Sequence, residues 1–221
     1  MISQRNTTLL CLCLAAVCAV SARAEENEFM LTIDRIFHDK EFELDKKVPS
    51  KWLEGGASYT TVDASESVAD GFDIVRHDSA SGEKSILVSA KQLIPEGAEK
   101  PLEIKDYSWS EDGRFVLIST NTVKFRRLES LGDYWLLNLA DSSLRQVGTD
   151  ASPSSLMYAK FSPDSKFVAY MYLHNIYIES VDGRTKKQLT HDGSDLIVNG
   201  TGDWVNEEEF GLRDGFKWSP D

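Results

Sequence analysis

Cysteine is nearly absent from this chain of 221 residues, and its three cysteines all lie within the first 18 positions. Around them are Arg5, an apolar run over Leu9–Val20 and a small-x-small triplet at 22–24, which together predict a secretory signal peptide over residues 1–24. The apolar run is too short to span a bilayer, which needs about 20 residues. A mature chain that begins at residue 25 has no cysteine, which excludes disulfides, thiolate metal sites and cysteine nucleophiles.

The motifs of several enzyme classes are also missing. No Gly-x-Ser-x-Gly sequence is present to place a hydrolase serine on a strand-to-helix turn, and Gly-rich phosphate loops are absent. The histidines lack a ligand spacing such as His-x-x-x-His, so we interpret all four as surface or turn residues: His38, His77, His174 and His191. We therefore expect no metal, no cofactor and no catalytic residue in this chain.

Positive charge is scarce as well. The chain has 24 Lys and Arg residues against 36 Asp and Glu, a net charge of −12. Without the predicted signal peptide the balance is 22 against 36, or −14. Because phosphate contacts need clustered Lys and Arg, nucleic-acid binding is disfavoured. The signal pattern and the composition predict an exported protein, periplasmic or extracellular.

An aromatic residue followed by a polar turn recurs along the chain. The aromatic positions are Trp52, Trp109, Phe161 and Trp218, at spacings of 57, 52 and 57 residues. Turns such as Ser-Pro-Asp follow them, where Pro presets φ and Asp or Gly suits the next positions. The strands after the turns are rich in β-branched and aromatic residues, as in 115–119 and 167–172.

Each unit also contains a second predicted hairpin, so that about 50 residues carry four strands. The second hairpins lie at 72–89, 134–147 and 176–190. This pattern is typical of a β-propeller blade, whereas the alternative, a β-sandwich of hairpins, rarely repeats one signature at constant spacing. We predict an all-β fold, a partial β-propeller of about three four-stranded blades plus the start of a fourth. Since propellers typically need about 4–8 blades, the chain is predicted to be a fragment.

The predicted domain organisation follows from these repeats. An N-terminal arm covers 25–50, where Thr32 caps a short helix that has Ile33, Ile36 and Phe37 on one face. A truncated propeller domain covers 51–221. We expect it to contain blades near 51–90, 107–148 and 157–190, then a substrate-binding insertion at 194–213 and a blade start at 216–221. Insertions in repeat proteins often build the binding site.

The insertion contains an acidic stretch, Asp203–Phe210. Asp203 is suited to cap a short helix, and we expect Trp204, Val205 and Phe210 to hold that helix on the core. The three consecutive carboxylates Glu207–Glu209 repel one another. They are either a solvated helix start or a site for a cation, since two carboxylates in a partly dry cleft bind an ammonium group through charge-assisted hydrogen bonds.

A basic stretch, Lys124–Arg127, follows the second strand of the second blade, and we expect it in a loop ahead of Asp133. In an acidic protein this stretch is either a solvated basic turn, or one of its arginines points its guanidinium into the interior of the propeller. A guanidinium in that position would hold a carbonyl or a carboxylate. The Asn199-Gly200-Thr201 sequon is a glycosylation site only in a eukaryotic host.

The residues from Asn199 to Phe210, with Asp-Trp-Val-Asn-Glu-Glu-Glu at their centre, resemble the double-glutamate region of the dipeptidyl peptidase IV family, in the prolyl oligopeptidase group of serine peptidases. The resemblance runs from about Leu31 to Asp221. It implies an eight-bladed N-terminal propeller followed by an α/β-hydrolase domain. Enzymes of this family remove X-Pro or X-Ala dipeptides from peptide N-termini. One departure is Asn206, where many relatives have an aromatic residue.

The resemblance also implies roles for particular residues. Glu208 and Glu209 would bind the free α-ammonium of the substrate peptide, and Arg127 a carbonyl of the same dipeptide. Arg126 is the alternative to Arg127. The Ser, Asp and His of the triad belong to the C-terminal domain, so this chain alone is expected to be inactive. The partners implied are peptide N-termini, that hydrolase domain and, as an open alternative to a monomer, a second copy in a homodimer.

Two rival functions stay open at this point. A propeller that binds peptides or proteins without catalysis would keep the blades and lack a downstream hydrolase domain. An acylaminoacyl-peptidase or oligopeptidase would keep that domain and would not depend on a free substrate amine.

Overall fold

The computed structural model describes residues 30–43, 49–125 and 128–220. The predicted signal peptide, residues 1–24, lies outside the described residues. The chain divides into two compact units, Met1–Lys47 and Val48–Asp221. No helix in the described ranges is long and apolar enough to cross a membrane.

In the first unit, a helical turn spans Asp34–His38. The predicted cap is confirmed, since the Thr32 hydroxyl accepts a hydrogen bond from the backbone N–H of Arg35 at 3.1 Å. The Arg35 guanidinium donates to both carboxylate oxygens of Glu41 at 2.5 Å, and this pairing lowers the pKa of Glu41. The predicted packing of residues 25–50 as an arm on the propeller stays a prediction.

The described part of the second unit contains twelve strands in three antiparallel groups of four, which confirms the predicted all-β fold of propeller blades. Blade 1 comprises β1 (Ser50–Leu53), β2 (Ser58–Ala64), β3 (Phe72–Asp78) and β4 (Lys84–Val88). Blade 2 comprises β5 (Asp106–Trp109), β6 (Phe115–Phe125), β7 (Leu128–Asn138) and β8 (Leu144–Gln146). Blade 3 comprises β9 (Leu156–Phe161), β10 (Phe167–Tyr172), β11 (Asn175–Ser180) and β12 (Lys186–Gln188). A helix, α1, follows at Trp204–Phe210.

The hairpin β6–β7 is longer than the sequence predicts. The expected loop at Lys124–Arg127 is wrong for its two described residues, because β6 continues through Lys124 to Phe125 and pairs with β7 beyond a register shift near Thr120. Asn121 takes a positive φ of 49° at this irregularity, which lets the ladder resume on a more polar segment. The extended part of β7 also pairs with β9, where Leu131 lies opposite Met157, and so joins blades 2 and 3 into one sheet.

The core lies between the blades. Alternate side chains of a strand face opposite sides of its sheet, and in β6 both sides are buried. Val116 and Ile118 belong to the cluster formed with blade 1, while Phe115 and Leu117 belong to the cluster formed with blade 3. Burial on both faces explains why this strand is a continuous apolar run.

The same hydrogen-bond geometry recurs in the Ser-x-Asp turns within the blades. In blade 2, Ser110 donates to Asp112 at 2.7 Å and accepts from the buried N–H of Phe115 at 2.9 Å. Ser162 makes the equivalent bonds in blade 3, and Ser180 makes them in the turn after β11. Partial burial opposes ionisation of Asp112, but hydrogen bonds from Ser110 and Arg114 prevail and lower its pKa to about 2.

A partly buried ion pair connects blades 2 and 3. The Arg145 guanidinium of β8 donates to the Glu179 carboxylate of β11 at 2.5 Å and to the carbonyls of Ser180 and Val181 at 2.7 and 2.9 Å. The second oxygen of Glu179 accepts from the backbone N–H of Gly148 at 3.1 Å. Both charges are therefore paired and hydrogen-bonded, which is the condition for tolerating the buried carboxylate of Glu179.

The interpretation of His77 as a surface or turn residue is wrong. His77 lies within β3 and is only 7% exposed. Its ring stacks on Tyr59 of β2 with centroids 4.6 Å apart, and its Nε2 lies 2.8 Å from the hydroxyl of Thr61. Cross-strand pairing supplies both contacts, and no spacing rule for metal ligands could predict them.

We expect Ser110→Ala to destabilise the protein by roughly 1–2 kcal/mol, because the buried N–H of Phe115 loses its acceptor. Ser180→Ala is the matched control and should cost less, since its equivalent bonds are open to water. The midpoint of urea unfolding, followed by tryptophan fluorescence, measures both changes. Equal losses for the two variants would show that burial of this turn contributes nothing.

Candidate functional site

Helix α1 carries the acidic stretch and is held by a cap at each end. The predicted N-cap is confirmed, since the Asp203 carboxylate accepts from the backbone N–H of Asn206 at 2.8 Å and from its side-chain amide at 3.0 Å. At the C-terminus, Gly211 adopts the left-handed conformation with φ 64°. A helix of seven residues is marginal by itself, so these caps are needed for it to form.

The three consecutive glutamates of α1 have different environments. Glu207 is buried with 8% exposure, whereas Glu208 and Glu209 are exposed. The helical period of 3.6 residues turns each carboxylate about 100° from the next. The arrangement therefore presents two neighbouring carboxylates outward and keeps the first one against the protein.

The expected packing of the apolar side chains of α1 on the core is wrong. Trp204 is 59% exposed, Phe210 is 68% exposed and Val205 is 38% exposed. A helix of about two turns has few inward positions, and Glu207 occupies the buried one. Trp204 precedes Glu208 by four residues, so both lie on the same side of the helix.

The chain on either side of α1 folds back on itself, and we call residues 200–215 the α1 arm. The backbone N–H of Gly202 donates to the carbonyl of Arg213 at 3.0 Å. A Cβ atom at position 202 would lie 2.5 Å from the carbonyl oxygen of Leu212, so only glycine permits this approach. The segments before and after α1 are thereby brought close together, and Thr201 forms an isolated β-bridge with Asp214.

Lys160 of β9 contacts the segment that follows α1. Its ammonium group donates to the carboxylate of Asp214 and, at 2.7 Å, to the backbone carbonyl of Phe216. The nitrogen also lies 3.8 Å from the centroid of the Phe216 ring. Burial lowers the pKa of Lys160, and the carboxylate of Asp214 opposes that shift. Sequence analysis did not single out Lys160, because a lone lysine in a strand gives no signal of its partner.

The predicted substrate arginine, Arg127, lies outside the described residues, as does the alternative Arg126. They fall between the end of β6 and the start of β7. The described part of this hairpin is fixed by the buried Asp133, which accepts from the side-chain amide of Asn121 at 2.9 Å and from the N–H of Ser154 at 2.7 Å. The proximity of either arginine to the glutamates of α1 stays a prediction.

A cleft of about 410 Å³ opens beside the first strands of the three blades, β1, β5 and β9. Its charged walls include Lys51, which pairs with Asp106 at 2.8 Å, and Lys160. Tyrosines from three strands contribute aromatic lining: Tyr107, Tyr134 and Tyr158. Because Lys160 lines this cleft and also binds the α1 arm, the base of the arm lies at the edge of the cleft.

Tyr158 is a second residue of this region that sequence analysis missed. It has a positive φ of 55°, which is strained for a residue with a Cβ atom. The strain occurs where β9 has one residue more than β10 between paired positions, so Tyr158 lies on a β-bulge. Such bulges redirect a side chain, and this one places Tyr158 in the wall of the cleft.

The arrangement is suited to binding a small cation. Two adjacent, outward carboxylates offer four oxygen acceptors, and an ammonium group has three donors. Hydrogen bonds between such charged partners are about twice as strong as neutral ones. In the part of the chain that the structure describes, no group of three or more His, Cys, Asp or Glu side chains is placed to hold a metal ion.

Residues 110–221, just over half of the chain, match the family model of the dipeptidyl peptidase IV N-terminal region. Dipeptidyl aminopeptidase B of Saccharomyces cerevisiae is 31% identical over 183 residues, which are 82% of this chain and 20% of the yeast protein. Dipeptidyl peptidase 4 of Felis catus is 32% identical over 53% of this chain and 15% of its own length.

Dipeptidyl peptidase 4 of Porphyromonas gingivalis has a similar crystal structure, with a TM-score of 0.69 and 25% identity. The match covers 83% of this chain and 25% of that chain. The matched parts therefore span only 15–25% of the length of these three relatives.

We expect Asp203→Ala to loosen α1, because the N–H of Asn206 loses its acceptor at a cost of about 1 kcal/mol. Hydrogen exchange at residues 204–210 should accelerate roughly fivefold. Asp203→Asn keeps an acceptor oxygen at the same position and is the matched control. Unchanged exchange in the alanine variant would mean that the cap is not needed for this helix.

Proposed function

The chain belongs to the dipeptidyl peptidase IV family, within the N-terminal region of that family, and on this premise we propose that it is the substrate-recognition propeller of an exported serine dipeptidyl peptidase. The observation that carries the proposal is the presentation of Glu208 and Glu209 on a doubly capped helix. By the resemblance of the Asp203–Phe210 stretch, these two residues would be the double glutamate of the family.

The proposed role of the two glutamates is to bind the α-ammonium group of a peptide. A free N-terminus is a compact cation, and the paired carboxylates give it charge-assisted hydrogen bonds. Arg127 would hold a carbonyl of the first two residues through its guanidinium donors. Binding the N-terminus at a fixed distance from the reacting bond would restrict cleavage to the second peptide bond. The preference for X-Pro or X-Ala dipeptides is proposed from the family resemblance alone.

The bond-breaking groups are proposed to come from the C-terminal α/β-hydrolase domain of the full-length protein. There a serine would attack the scissile carbonyl with help from a histidine and an aspartate. The propeller contributes by orienting the peptide, which lowers the entropic part of the barrier. Export is proposed from the signal pattern of residues 1–24, with a periplasmic or extracellular location.

Replacing both glutamates in the full-length protein that carries this chain tests this proposal. We expect Glu208→Gln with Glu209→Gln to lower kcat/KM for Gly-Pro-p-nitroanilide by about 100-fold or more, because the substrate ammonium loses both counter-charges. Steady-state kinetics measure the effect.

The matched control removes two negative charges from a different part of the chain. Glu96→Gln with Glu99→Gln alters two exposed acids of the segment between blades 1 and 2 and should leave kcat/KM within about twofold. If the double variant at 208 and 209 keeps full activity, the protein does not bind a free amine there. That result would favour an acylaminoacyl-peptidase or oligopeptidase.

We also expect purified residues 25–221 to be inactive on Gly-Pro-p-nitroanilide, because the proposed nucleophile and base lie in another domain. Release of nitroaniline is followed by absorbance, with the full-length protein as the positive control. Robust hydrolysis by the shorter chain would contradict this assignment. If the full-length protein is inactive as well, a binding propeller without catalysis becomes the better function.

A further inference from the structure

The α1 arm is connected to blade 3 at its two ends. The outgoing end is tied through the backbone, where the N–H of Asn199 donates to the carbonyl of His174 at 3.0 Å. The two ends of the arm are tied to each other, since the N–H of Gly215 donates to the carbonyl of Gly200 at 3.1 Å. The position of α1 therefore depends on what holds the returning end.

Lys160 is the side chain that holds the returning end. Its backbone is fixed in the blade, where it pairs with Ala169 of β10. Its ammonium reaches the carboxylate of Asp214 and the carbonyl of Phe216 across the interface, with side-chain exposures of 24% for the lysine and 30% for the aspartate. The indole N–H of Trp218 also donates to the carbonyl of Lys160, at 3.4 Å. One residue of β9 thus contacts three positions of the segment that follows α1.

Another lysine reaches the same carboxylate in a different way. The ammonium of Lys217 lies 3.6 Å from Asp214, but its side chain is 80% exposed and belongs to the same segment as its partner. A contact within one segment cannot fix that segment on the blade. Exposed pairs of this type also contribute little to stability.

We propose that Lys160 is a positioning residue for Glu208 and Glu209, because it fastens the returning end of the α1 arm to β9 and so sets where the two carboxylates lie. This inference rests on the proposed function, in which those carboxylates bind the substrate ammonium. Lys160 itself is assigned no contact with the substrate. Its effect on binding passes through the arm.

Kinetics of the full-length protein that carries this chain test the proposal. Lys160→Met keeps the length of the side chain and removes the charge, and we expect KM for Gly-Pro-p-nitroanilide to rise about tenfold with kcat within about threefold. A merely structural role would reduce the fraction of active protein, which lowers the apparent kcat and leaves KM unchanged. Lys160→Arg retains donors for the carboxylate and the carbonyl and should recover most of the affinity.

Lys217→Met is the matched control and should leave KM within about twofold, although it removes a lysine from the same carboxylate. Equal KM values for Lys160→Met and the unaltered protein would overturn the positioning role. Failure of the proposed function would be seen in a different variant, because replacing Glu208 and Glu209 by glutamine would then leave kcat/KM unchanged.

Hydrogen exchange provides a readout that does not need activity. We expect amides of residues 200–215 to exchange roughly tenfold faster in Lys160→Met, and blade 2 to be unaffected. Unchanged exchange in the arm would overturn the proposal. If Lys160→Met fails to fold, Asp214→Asn tests the same contact from its other side. That variant should raise KM in the same direction, and an unchanged KM would again count against the proposal.

Discussion

The fold depends on one constraint, which is that a four-stranded blade has two apolar faces and no core of its own. Each face is buried only when another blade packs against it. The strand β6 shows this most clearly, because Val116 and Ile118 pack toward blade 1 while Phe115 and Leu117 pack toward blade 3. The partly buried pair of Arg145 with Glu179 adds a polar connection between blades 2 and 3.

The α1 arm is stabilised in a different way, since almost no apolar core holds it. Its helix is short, and its large apolar side chains, such as Trp204, are exposed. Geometry is imposed instead by polar contacts: the Asp203 cap, the close approach at Gly202 and the Lys160 ammonium. Such contacts are directional, so they can place two exposed carboxylates without burying them. The same contacts are few, and the arm is therefore sensitive to single substitutions.

Much of the architecture could be predicted from the repeat. The aromatic-turn signature predicted the all-β fold of propeller blades, because turn chemistry and strand alternation are local properties of the chain. The predictions failed where a contact joins distant segments. His77 is buried by stacking on Tyr59, and β6 extends past a bulge at Asn121 that no local pattern reveals. Lys160 and Tyr158 carried no signal, since one acts through Asp214 and the other through a strained bulge.

The sequence by itself determined the fold class, the order of the blades, the capped helix at Asp203 and the motif that resembles the family. These features depend on residue type and spacing along the chain. Only the tertiary structure decided which of the three glutamates is buried and how the arm is fastened to β9. Burial and ion pairing depend on distance in space, and residues 160 and 214 are brought together only when the chain after blade 3 returns to the edge of the cleft.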